Sequence, residues 1–251
     1  MTDLNSKTRA LALSFLCLAA LLAPRPAQAQ SVEPTEKTDD LDVTDARVEY
    51  REDLDLLVFE QTVAGTAGAT TPDANGALDG APVLGYVFPT TLAPEDVGFH
   101  STEGILALAA TAHPDFDDTP LWDEDGDGSY DDDGRVYHTH WVVLEEDSRV
   151  AGGLAVKEVA EDETGEALPP TSPAMPMYLD SPGFSVVRQG NTLKVLVPAQ
   201  RVGGRTDFQY DAVTAYMEVN TSDEDRPMLG VYEVYDVLSG DLSLPYGVGQ
   251  E

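Results

Sequence analysis

The chain has 251 residues, with 46 Asp and Glu against 14 Lys and Arg and a formal net charge of −32. Such a surface repels nucleic acid and anionic membranes and attracts divalent cations, so a nucleic-acid partner is excluded. Its one cysteine, Cys17, lies in an N-terminal apolar run, so no disulfide framework holds the fold.

Residues 1–29 read as a cleaved secretory signal. Lys7 and Arg9 form a basic start, and Ala10 to Ala23 is apolar apart from Ser14 and Cys17. Pro24, Arg25 and Pro26 end the run, and Ala27-Gln28-Ala29 gives the small-x-small pattern of a cleavage site. The run falls short of the roughly 20 residues a membrane-spanning helix needs. The expectation is an extracytoplasmic protein, periplasmic or secreted, cleaved near Ala29 and without stable membrane insertion afterwards.

Residues 30–45 are acidic and poor in large apolar side chains, which predicts a flexible lead-in. Arg47 to Val63 follows as one or two strands, then a long Gly-, Ala-, Thr- and Asp-rich loop from Ala64 to Pro82. Val83 to Phe88 reads as a strand. Ile105 to Ala112 is alanine-rich and so compatible with helix, but it follows Gly104 and ends at His113-Pro114, which favours an extended backbone. Further strands are predicted at Val136 to Leu144, Phe184 to Arg188, Thr192 to Val197, Ala212 to Val219 and Val231 to Leu238, from alternation and β-branched or aromatic content. Many short strands with turn chemistry between them predict an all-β fold, specifically an antiparallel β-sandwich with long loops. A single domain over 46–245 and a tail over 246–251 complete the expected organisation.

The segment Asp123-Glu124-Asp125-Gly126-Asp127-Gly128-Ser129-Tyr130-Asp131-Asp132-Asp133-Gly134 carries ligand spacing for a hard cation. Calcium takes six to eight oxygens at about 2.3–2.6 Å, and carboxylates at alternate positions of a tight loop converge on one point. Asp123, Asp125, Asp127, Ser129, Asp131 and Asp133 are the expected calcium ligands. The spacing resembles the calcium loops of EF-hands, dockerins and thrombospondin type 3 repeats. It departs from the EF-hand at its twelfth position, which is Gly134 rather than a bidentate Glu, and it lacks flanking helices. An EF-hand-like structural site between two strands, rather than a sensor, is what the resemblance then implies.

His138 and His140 follow two residues apart on a predicted strand, so both imidazoles share a face with Val136, Val142 and Leu144. The chain holds four histidines, His100, His113, His138 and His140. A Zn²⁺ or Cu²⁺ site from His138 and His140 with His113 or His100 is chemically reasonable, because imidazole suits both ions. The alternative is that these side chains bond to carbonyls or carboxylates and only support the acidic loop. The run His138-x-His140-x₄-Glu145-x₆-Gly152 also resembles the first metal motif of cupins. No histidine follows His140, however, so the second cupin motif is missing.

No nucleophile elbow, zincin helix, phosphate loop or dinucleotide fingerprint is present. The leading expectation is an exported, calcium-binding β-sandwich without catalytic activity, with a second histidine-based metal site. The alternatives are a metal-dependent enzyme centred on His138 and His140, and a module that binds a glycan or protein through exposed aromatics such as Trp122, Tyr130 and Tyr178.

Overall fold

The computed structural model describes residues 33–73, 77–114, 136–159, 168–173 and 175–250. By internal contacts the chain separates into Met1–Gln30 and Ser31–Glu251. The proposed cleavage position near Ala29 lies outside the described residues.

After a single 3-10 turn at Asp39–Leu41, the Arg47 to Val63 region forms a hairpin of two strands, β1 (Val43–Arg51) and β2 (Leu56–Val63). Asp55 turns the chain with a φ of 53°, a left-handed conformation that Asp tolerates better than most residues. The order starts earlier than a flexible 30–45 segment allows, because Leu41 is buried and Asp40 accepts from the Thr70 N–H. Next come β3 (Pro82–Pro89), β4 (Ile105–Ala112), β5 (His138–Glu146), β6 (Leu154–Val156) and β7 (Leu179–Asp180). The remaining strands are β8 (Ser185–Gln189), β9 (Thr192–Pro198), β10 (Gln209–Tyr210), β11 (Val213–Val219), β12 (Leu229–Val237), β13 (Tyr246–Gly247) and β14 (Gly249–Gln250). The last of these pairs with β1, so residues set apart as a tail extend a sheet. Among the described residues there is no α-helix, and none therefore long and apolar enough to cross a membrane.

The fold is all-β, but it is not the expected sandwich. Strands run β4-β3-β11-β12-β6-β5, and β5 pairs back onto β4, closing a six-stranded antiparallel barrel. A second sheet, β14-β1-β2-β9-β8, is separate from it. The misreading has a physical source. Alternation tells which side chains share a face, and that pattern is the same whether a sheet packs on another or curls until its edges meet.

The two faces of the barrel wall have different partners. Outward-facing Tyr86, Phe88, Leu106, Leu108, Trp141 and Val143 pack with Leu57, Phe59, Leu193, Val195 and Val197 of the second sheet in one core. Phe59 anchors this layer, meeting Phe88 and Trp141 edge-on at ring separations of 5.3 and 6.5 Å. Inward-facing Val83, Val87, Ala107, Ala109, Val142, Leu144, Val213, Ala215 and Met217 form a second core inside the barrel. Eight strands give a barrel interior that side chains just fill, so six leave less room, which suits the small residues here. Gly85 marks the limit: a Cβ there would sit 2.9 Å from the Met217 methyl.

The second sheet carries a cross-strand charge row. Glu60 on β2 faces Arg47 on β1 and Lys194 on β9, with contacts of 3.1 and 2.6 Å. Burial alone would push its carboxyl up, but the two cations outweigh that and hold it below the usual carboxylate range. A carboxyl depressed in the folded state stabilises above its unfolded value and loses that contribution as pH falls. Glu60→Gln is expected to cost about 1 kcal/mol at neutral pH, kept small because Arg47 is half exposed. Urea denaturation at pH 7 and pH 3 checks this: the difference between parent and variant should close at the lower pH.

Candidate metal centre

β4 and β5 bring the histidines together. Their register pairs Ala109 with His140 and Thr111 with His138. Alternation on β4 sends Ala107, Ala109 and Thr111 into the barrel, and His113 continues that row one step past the end of the strand. On β5 the inward row is His138, His140, Val142 and Leu144. Three imidazoles therefore meet at the end of the barrel where β4 leaves and β5 enters.

All three are buried, His113 and His140 to 3% exposure and His138 to 9%. Nε2 of His113 lies 2.8 Å from Nε2 of His138. The rings of His138 and His140 are 4.8 Å apart, and one ligand atom from each of the three falls within 4.8 Å of the others. Nδ1 of each ring is engaged elsewhere. His113 Nδ1 donates to the Pro114 carbonyl and His138 Nδ1 to the Val136 carbonyl, both at 2.8 Å. His140 Nδ1 meets the Ser181 hydroxyl at 3.1 Å.

Those bonds set the tautomers. A carbonyl only accepts, so His113 and His138 must each carry a proton on Nδ1, which leaves a lone pair on each Nε2 when the rings are neutral. Two lone pairs 2.8 Å apart repel unless a positive charge, a proton or a metal ion, lies between them. Metal-binding histidines are held in this way, the far nitrogen bonded to a carbonyl or other acceptor that fixes the ring. Tetrahedral ligands with bonds of 2.0–2.1 Å stand about 3.3 Å apart, within reach of small side-chain adjustments here. The cluster can hold a metal ion.

No family model, curated protein or solved structure matches this chain. The site is therefore read from its own chemistry.

Of the residues singled out from sequence, the fold joins His113, His138 and His140 and leaves out His100, which is exposed. The open choice between His100 and His113 as third histidine thus falls to His113. The expected calcium ligands Asp123, Asp125, Asp127, Ser129, Asp131 and Asp133 lie outside the described residues. Trp122 and Tyr130 do too. Tyr178, expected as an exposed aromatic, is instead buried with its ring 5.8 Å from Phe99. Among the described residues the only large exposed apolar side chains are Leu54 and Val187.

Sequence reasoning missed Ser181 and Thr111. Thr111 was within reach, since it precedes His113 by two residues on the same inward row. Ser181 was not, because 41 residues separate it from His140 and nothing local marks the pair. Its neighbour Asp180 belongs to the other face, paired with Trp141, and burial pushes its carboxyl up. Outer partners of metal-bound imidazoles typically contribute about 10–100-fold in affinity. Ser181→Ala is expected to weaken zinc binding within that range, measured by titration calorimetry, while leaving the thermal midpoint of the metal-free protein nearly unchanged.

Proposed function

We propose that the chain is an exported metal-binding protein whose barrel holds one transition-metal ion, Zn²⁺ or Cu²⁺, on His113, His138 and His140. The observation that carries this is the pair of Nε2 atoms facing each other at 2.8 Å with both Nδ1 atoms committed to carbonyls. An all-nitrogen set of neutral imidazoles suits zinc and copper and disfavours magnesium or calcium, which take oxygen. Calcium belongs to this reading as a separate structural ion on Asp123, Asp125, Asp127, Ser129, Asp131 and Asp133. The case for it rests on ligand spacing and on the repulsion among crowded carboxylates. Export is supported by the leader pattern of residues 1–29. The remaining chain has no cysteine, so bound metal is its alternative staple.

A second reading, a metal-dependent enzyme, is favoured by one feature. Among the described residues three side chains are placed to ligate, the number that catalytic zinc sites use with a fourth position left for water or substrate.

Two measurements test the proposal. Zinc or copper titrated into chelator-treated protein should bind at one ion per chain, and His138→Ala should lower that affinity by at least 100-fold. Retention of full affinity in the variant would show that the three histidines are not the site. Separately, the thermal midpoint should rise with calcium and fall with a calcium-selective chelator in His138→Ala as much as in the parent, since the two ions occupy different ligands. An unchanged midpoint sinks the calcium assignment alone.

A further inference from the structure

The barrel interior is not filled. It holds a cavity of about 160 Å³ walled by Val87, Val142, Leu144, Val213, Ala215 and Met217, and the rings of His113 and His140 form part of the same wall. His138 does not line it. A cavity of roughly 150 Å³ with such a lining stays dry and accepts benzene. The wall carries one further polar group, Thr111, whose hydroxyl oxygen is buried and has no hydrogen-bond partner among the described residues. Buried hydroxyls are nearly always bonded, so an unbonded one facing an empty space beside a ligand cluster is a place for an incoming acceptor.

We propose that the barrel binds a small monocarboxylate, its benzene-sized apolar body in the cavity and its carboxylate shared between the metal and the Thr111 hydroxyl. This rests on the metal reading above. The chemistry of each part selects the ligand. A neutral imidazole brings no charge to offset that of a divalent ion, whereas an anionic oxygen does. The Thr111 hydroxyl donates to the second carboxylate oxygen. A cavity walled by aliphatic side chains takes an uncharged body and rejects a second polar group, which would be left without partners. The strongly acidic surface likewise disfavours ligands of higher negative charge.

The test uses the folded chain loaded with one zinc ion and three probes: benzoate, acetate as the head without the body, and benzene as the body without the head. Calorimetry should show benzoate binding at least tenfold more tightly than acetate to the zinc form, and at least tenfold more weakly to the metal-free form. Methyl resonances of the cavity valines should shift with benzoate and with benzene, and not with acetate. Thr111→Val, close to isosteric, should lower benzoate affinity about tenfold and leave zinc binding unchanged. Ala215→Leu, which narrows the cavity from β11, a strand that carries no histidine, should abolish benzoate binding and keep zinc. Normal zinc binding with benzoate no tighter than acetate would overturn this inference and leave the metal site standing. Failure to bind zinc, seen before any carboxylate is added, would overturn both.

Discussion

The pairing of β4 with β5 is the constraint on which the rest depends. It joins the two edges of a six-stranded sheet, so it converts an open sheet into a barrel. It also fixes which residues meet at the end: with Thr111 opposite His138, the row that continues to His113 arrives beside the His138 ring. A slip of one residue would reverse every side chain on the strand. It would send His138 and His140 away from His113, toward Phe59 and the second sheet, and bring Trp141 into the barrel. Register is strongly specified here because both faces are buried and differ in what they can accept, bulky aromatics outside and small or β-branched residues inside.

That difference also explains why the interior keeps a void. Ala107, Ala109 and Ala215 let the six strands curl tightly, and Gly85 admits the Met217 methyl. The same small residues cannot fill the centre once the wall has closed. Larger side chains would fill it only by forcing the wall apart, and overpacking of that kind costs about 1–3 kcal/mol. The cavity is thus a consequence of barrel size and of the residues that permit closure. Its position against the histidines follows from the shared inward row of β4 and β5.

Much of this was legible from local pattern. The strands at Val83, Ile105, Thr192, Ala212 and Val231 appear within one or two residues of where local sequence puts them, and His138 and His140 share a face as their spacing requires. What the pattern could not carry was pairing. Closure is decided by long-range contacts between Ile105–Ala112 and His138–Glu146, and nothing in either segment names the other. The same blindness hid Ser181 and left the third histidine open between His100 and His113. It also makes the start look flexible, since the turn at Asp39–Leu41 is acidic by composition yet tied down by tertiary bonds. Asp40 accepts from Thr38 and Thr70, and its carbonyl accepts from the buried Tyr86 hydroxyl.

Barrel closure and the histidine cluster are coupled through charge. The pairing that seals the wall forces two imidazole nitrogens to 2.8 Å, and the carbonyls on their far sides deny either ring the tautomer that would relieve the repulsion. A divalent ion removes the repulsion without protonating either ring, and its charge is shared with a third imidazole from the same strand. Because the unfolded chain has no such preformed site, binding free energy becomes folding free energy, about 2.7 kcal/mol when the metal stands at 100 times its dissociation constant. That is comparable to what one disulfide typically contributes. In a β protein whose sole cysteine lies in the leader-like segment, the ion would hold together the two strands whose pairing makes the barrel.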